Sequence, residues 1–154
     1  MAQTRPSGKD IPYFFFAPLA EVSLNNAKDS PSFGGGFIVG ADGVVALGLS
    51  CLYLYEVKNS ALGKRIDSLE VTVFLRVYIY QPKPKTGLFV QFNFGPVLYF
   101  AEDDWSIPAV AGACSAGLLC GWRIPVGNVF YIEPVVRGGY PYIVSGGLSL
   151  GFRF

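Results

Sequence analysis

An eight-stranded antiparallel up-and-down transmembrane β-barrel is the fold class the sequence predicts, on three observations. Hydrophobic residues make up 51% of the 154, with 16% aromatic and only 15% charged, against about 25% charged in an ordinary soluble domain. No apolar run free of Gly, Pro and charge approaches the roughly 18 residues that a membrane-crossing helix needs. A chain of this composition that meets lipid must therefore do so with its backbone hydrogen bonds closed strand to strand, in a barrel. Third, large apolar residues recur at every second position over long segments, the period of a strand with two unlike faces.

The length suits one domain. Residues 1–12 read as an N-terminal segment and 13–154 as the barrel. "MAQTRPSGKD" lacks a basic stretch followed by an apolar run, so it reads as the start of a mature chain at Ala2-Gln3. Net charge is +1, which gives no basic surface for nucleic acid.

Eight strands are expected in order: Tyr13 to Leu24, Ser32 to Ala41, Val44 to Val57, Leu69 to Gln81, Leu88 to Phe100, Ala111 to Ile124, Val129 to Gly139 and Pro141 to Phe154. Val, Ile, Tyr and Phe dominate them, and Gly, Pro, Asn and Asp punctuate the gaps. The connections "NNAKDSP", "KNSALGKRIDS" and "EDDWSIPAV" are long, whereas "ADG", "PVGN" and "GGYP" are short and "PKPKTG" intermediate. One busy end and one tidy end suit consecutive hairpins.

The faces decide between lipid and water outside. In the fourth strand Val71, Val73, Leu75, Val77 and Ile79 oppose Glu70, Thr72, Phe74, Arg76, Tyr78 and Tyr80. The fifth sets Leu88, Val90, Phe92, Phe94, Pro96, Leu98 and Phe100 against Gln91, Asn93, Gly95 and Tyr99. The seventh sets Phe130, Ile132, Pro134 and Val136 against Tyr131, Glu133 and Arg137. The eighth sets Tyr142, Val144, Leu148, Leu150, Phe152 and Phe154 against Ser145, Gly147, Ser149, Gly151 and Arg153. A soluble barrel puts its apolar face in a tight interior. Here that face is an unbroken ladder of large residues and the other mixes Gly, Ser, Tyr and charge, which fits lipid outside and a polar lumen. Two strands are less clean: Leu52 and Leu54 in the third and Leu119 in the sixth face the lumen.

The same parity collects lumen charges of both signs: Glu21, Glu56, Glu70 and Glu133 with Arg76, Arg123, Arg137 and Arg153. Eight strands leave a lumen just wide enough for side chains to fill, so these groups are expected to meet as a buried ion-pair network. Arginine suits it, because its fork can bind two carboxylates and stays charged. Such a network either plugs the lumen or lines a narrow polar path, and both need the same residues. Removing Arg76 while Glu70 remains is expected to leave a buried carboxylate uncompensated.

Catalysis finds little support. No histidine is present to activate a serine or a water, and the glutamates are accounted for as partners of arginines. A zinc site is not expected, since the three cysteines, Cys51, Cys114 and Cys120, form no CxxC motif. Cys114 and Cys120 on one strand would lie roughly 20 Å apart, too far for a disulfide. No cofactor is expected. Glu102, Asp103 and Asp104 beside Trp105 form an acidic loop, and Lys58, Lys64 and Arg65 a basic one. Tyr13, Tyr53, Tyr55, Tyr80, Trp105, Trp122 and Tyr142 are expected in interfacial aromatic girdles.

The pattern resembles the small eight-stranded outer-membrane barrels of bacteria, of the OmpA transmembrane domain, OmpX and OmpW type, over nearly the whole chain from Tyr13. The C-terminal strand carries the resemblance most specifically: Gly146, Leu148, Leu150, Phe152 and Phe154 match that family's insertion signal of alternating hydrophobics ending in an aromatic. The resemblance implies residence in the bacterial outer membrane and outer-membrane lipid as surroundings. It also implies the barrel-assembly machinery as a partner during insertion, a monomer with both termini periplasmic, and a periplasmic turn at Pro125 to Asn128. Such barrels serve as adhesins, as structural anchors and as conduits for small hydrophobic molecules. The reading is an integral barrel with a side-chain-filled lumen and a structural or surface-interaction role; the alternative is a narrow channel for passive transport of small, including hydrophobic, solutes.

Overall fold

The computed structural model describes residues 13–25, 31–43, 45–56, 66–82, 86–101 and 111–154. Among them eight strands alternate in direction: β1 (Tyr13–Asn25), β2 (Pro31–Asp42), β3 (Val45–Glu56), β4 (Ile66–Tyr80), β5 (Gly87–Ala101), β6 (Ala111–Val126), β7 (Phe130–Tyr140) and β8 (Tyr142–Arg153). Each pairs antiparallel with the next, and β8 pairs back onto β1 to close the barrel. At the seam Phe14 N–H donates to the Phe154 carbonyl at 3.2 Å and Phe154 N–H to the Phe14 carbonyl at 3.0 Å. Closure leaves no open sheet edge, as a bilayer requires.

The expected elements are all present, with shifted ends. β4 starts at Ile66, three residues before the expected Leu69, because Asp67 and Ser68 are buried inside the wall rather than solvated in a loop. β2 runs through Asp42, which pairs with Ala46. The acidic run 102–104 with Trp105 and the basic group Lys58, Lys64 and Arg65 lie outside the described residues, as does the segment 1–12.

The two-residue period divides the side chains as expected. Val73, Leu75, Phe92, Phe94, Leu118, Val136, Leu148 and Leu150 are among the exposed large apolar residues of the outer wall. Cys114 and Cys120 are exposed on it and Cys51 half-buried, all three as free thiols. Tyr13, Tyr53, Tyr55, Tyr80 and Trp122 also face outward, with Tyr80 and Trp122 in ring contact at 6.0 Å. Tyr80 thereby departs from the inward parity of its strand: the β4–β5 register shifts between Tyr78 and Tyr80, and the extra residue turns it out.

Tyr142 corrects both its expected outer-face position and its girdle assignment. It is 3% exposed and lies inside, where its hydroxyl and that of Ser68 are 2.9 Å apart. The β1–β8 register shifts at Leu24/Asn25, opposite Tyr142, so the ring turns inward while Ile143 and Val144 both stay out.

Three mid-strand prolines interrupt the ladders. The β1–β8 pairing skips Pro18, the β4–β5 pairing Pro96 and the β6–β7 pairing Pro134. Each lacks the N–H that the ladder would use, and each side chain is exposed on the outer wall.

Candidate functional site

The lumen is where this fold gathers its chemistry, and among the described residues its charges fall into two clusters. The lower one lies toward the end that carries both termini. Glu133 on β7 accepts from Arg76 Nη1 at 2.8 Å and from Arg123 Nε, so one carboxylate bridges two guanidiniums. Arg123 Nη1 also donates to Asp42 Oδ2, Tyr78 donates to the same oxygen at 3.2 Å, and Arg76 Nε donates to Gln91 Oε1 at 2.8 Å. Gln91 in turn donates to Asn93 at 2.7 Å. Both arginines and Glu133 are 0% exposed.

Burying two arginines so completely needs more than ion pairs, because desolvation offsets much of the Coulombic gain. Aromatic rings supply the rest. The Arg76 guanidinium carbon lies 3.9 Å from the Phe89 centroid, and that of Arg123 lies 4.1 Å from the Tyr131 centroid. Phe15 stands between them, 5.5 Å from Arg76 and 5.1 Å from Arg123. A desolvated cation over an aromatic face gains about 2 kcal/mol. Tyr131 reaches this position across Gly151, its direct partner on β8; a Cβ at Gly151 would fall inside the Tyr131 ring.

The upper cluster is built differently, with one cation between two anions. Arg137 on β7 donates to Glu70 Oε1 at 2.6 Å and to Glu21 Oε1 at 2.7 Å. Ser115 donates to Glu70 at 3.1 Å, and the Tyr142 ring lies 5.0 Å from the Arg137 guanidinium carbon. Nearer the long-loop end Glu56 and Asp67 are buried, and Tyr53 donates to Asp67 at 2.6 Å.

Between the clusters several inward positions turn apolar. Leu19 separates Phe15 from Glu21 on β1, Phe74 separates Arg76 from Glu70 on β4, Leu119 separates Arg123 from Ser115 on β6, and Val135 separates Glu133 from Arg137 on β7. With Ile38 on β2 these side chains are all under 10% exposed and belong to one packed core. The two ionic layers are thus divided by a packed collar of these apolar side chains, completed by the buried polar Thr72, Asn93 and Ser149 at the same level.

All eight expected charges face inward, yet the expected pairings are redistributed. Arg76 meets Glu133, not Glu70, and Glu70 meets Arg137, since partners lie across the lumen and not along the strand. Removal of Arg76 would therefore bear on Glu133, which still keeps Arg123. Glu56 is buried toward the long-loop end, and Arg153 sits at the rim, half-buried, its guanidinium carbon 5.6 Å from the Tyr131 centroid. Asp42 is a member that sequence reasoning placed in a turn, because "ADG" reads as one; the inward parity of β2 would have included it had the strand been extended by a residue. Gly146, Leu148, Leu150, Phe152 and Phe154 all stand on the exposed side of β8. Among the described residues no group of three His, Cys, Asp or Glu is placed to hold a metal ion.

An apolar outer wall around a side-chain-filled interior is the arrangement of a transmembrane β-barrel, and small barrels of bacterial outer membranes share its fold. Solved structures of that kind share the fold. Neisserial surface protein A superimposes with a TM-score of 0.64 at 11% identity, covering 92% of this chain and 95% of that one. The N-terminal β-barrel domain of Pseudomonas aeruginosa OprF gives 0.56 at 14% identity over 94% and 100%. The outer membrane protein OprG from the same organism gives 0.56 at 10% identity over 96% and 98%. No family model matches the sequence, and no curated protein matches it either.

Proposed function

We propose that this chain is an outer-membrane barrel with a sealed lumen, acting as a structural or surface-interaction element and not as a passage. The observation that carries the reading is the stack of three closed layers: the Arg76–Glu133–Arg123–Asp42 network, the Leu19/Ile38/Phe74/Leu119/Val135 collar and the Arg137–Glu21–Glu70 network. Each layer blocks what the next would admit. The collar's packed side chains fill the passage, and the ionic layers stop apolar solutes, whose entry would separate buried partners at a cost of about 3–5 kcal/mol per broken pair.

The outward Gly146, Leu148, Leu150, Phe152 and Phe154 support a role for β8 as the segment read by the barrel-assembly machinery, with outer-membrane lipid as the lasting surroundings and a monomer as the working form. A narrow path for small hydrophobic solutes is the second reading, favoured by inward Leu52, Leu54 and Leu119, all buried. Swelling of proteoliposomes in small sugars and in small apolar amides separates the two. The sealed barrel predicts rates equal to those of protein-free vesicles for both solutes; faster entry of the apolar solute alone would establish the second reading.

A further inference from the structure

The strand ladders are of two kinds. Those of β1–β2, β2–β3, β3–β4, β5–β6 and β7–β8 run without a skipped residue. The other three are each interrupted at a proline. β4–β5 leaves Val71 and Thr72 unpaired against Gly95 and Pro96, β6–β7 leaves Trp122 and Arg123 against Glu133 and Pro134, and β8–β1 leaves Leu150 and Gly151 against Ala17 and Pro18. On their other sides Pro18 still pairs with Phe37, Pro96 with Cys114 and Pro134 with Leu148, so each absent N–H is one that would have crossed the interruption. The register shifts at Tyr78/Tyr80 and Leu24/Asn25 fall on two of the same ladders. The wall is thus three continuous sheets, β1–β4, β5–β6 and β7–β8, joined at three seams.

The lumen charges follow the same division. Arg76 on β4 meets Glu133 on β7, Arg123 on β6 meets Asp42 on β2 and Glu133, and Arg137 on β7 meets Glu21 on β1 and Glu70 on β4. Each of these five ion pairs joins two different sheets, and four of them end on β7. The Ser115–Glu70 and Ser68–Tyr142 hydrogen bonds also cross from sheet to sheet. Arg123 and Glu133 stand within the β6–β7 interruption itself, so a charge pair holds the two strands where the ladder does not.

We propose that β7–β8 is a keystone hairpin: a rigid two-stranded body, interrupted from its neighbours on both sides and locked between them by Glu133 and Arg137, that moves as one unit when the lock is broken. An interrupted ladder leaves polar backbone without its strand partner, which makes the seams the weakest lines of the wall. Opening a seam beside β7 also separates buried ions from their partners, so seam opening and rupture of the ion pairs are one event. The hairpin's own ladder runs unbroken from Phe130↔Phe152 to Gly138↔Val144 and has no reason to open with them. This device belongs to the wall and stands whether or not the lumen conducts.

Amide hydrogen exchange of the full chain folded in detergent micelles, read residue by residue by NMR, tests the keystone. Amides that donate across β6–β7 and β8–β1 are expected to share one opening and to exchange several-fold faster than those that donate between β2 and β3 or between β7 and β8. Glu133→Gln is expected to raise the rates at both seams together, several-fold, and to leave the β2–β3 and β7–β8 ladders unchanged. Pro134→Ala restores the missing donor and is expected to slow exchange across β6–β7. Seam amides that exchange no faster than those inside the sheets would overturn the division into three. Exchange between β7 and β8 that rises with the seams in Glu133→Gln would show the hairpin melting instead of moving as a body, and would overturn the keystone. Where Glu133→Gln does not fold, Pro134→Ala decides: unchanged exchange across β6–β7 overturns the proposal, and slowed exchange there alone sustains it.

Discussion

The two ionic layers solve the same problem with different stoichiometry. Below the collar, two arginines share Glu133 and lean on aromatic rings, with 0% exposure throughout. Above it, one arginine at 7% exposure sits between Glu21 and Glu70, helped by serine hydroxyls. The difference matters because the lower layer balances two guanidiniums with Glu133 and Asp42, whereas the upper layer sets two carboxylates around one guanidinium. Loss of Glu133 leaves the lower layer with excess cation, and loss of Arg137 leaves two carboxylates facing each other.

Three substitutions sharpen this contrast. Glu133→Gln keeps the volume but removes the carboxylate that Arg76 and Arg123 share, leaving Arg123 on Asp42 and Arg76 on Gln91, and is expected to cost about 4–5 kcal/mol. Urea unfolding in lipid vesicles would show it. Arg137→Leu is expected to cost less, about 3 kcal/mol near neutral pH. Its unfolding, measured in the same way, should show the smaller deficit. Equal deficits in the two variants would erase the proposed distinction. Gly151→Ala is the smallest perturbation: it forces Tyr131 off its seat over Arg123, an overpacking worth about 1–3 kcal/mol. Differential unfolding of this variant with and without Glu133→Gln should be non-additive, since Tyr131 and Glu133 contact the same arginine.

The sequence made the outer wall legible and the lumen only partly so. Ladders such as Val71 to Ile79 are unambiguous because lipid tolerates only one kind of residue, and the period of two then places Arg76, Arg123, Glu133 and Arg137 inside without further information. Partner choice is another matter. Whether Arg76 meets Glu70 or Glu133 depends on how far each strand is staggered around the barrel, which no single strand encodes. Tyr142 and Tyr80 were misleading for a related reason: one register shift each, at Leu24/Asn25 and at Tyr78/Tyr80, reverses the face on which the ring lies. Asp42 was hidden by turn chemistry that the strand overrides, and Asp67 and Ser68 by polarity that the lumen accepts.

The collar was visible as residues but not as a layer. Leu19, Leu119 and Val135 stand two or four residues from charges on their own strands. Only the closed barrel shows that they lie together between the two networks. This packed belt, more than the ion pairs themselves, distinguishes a plug from a selective path, because charged side chains line conducting pores as readily as they fill closed ones.

Single-channel recording in planar bilayers tests the sealed lumen most directly. The account predicts a flat baseline from the refolded, inserted protein in symmetric potassium chloride across the usual voltage range, with no discrete steps. Reproducible unitary openings from the unmodified chain would contradict it, showing that the collar and the two ionic layers leave a path for ions.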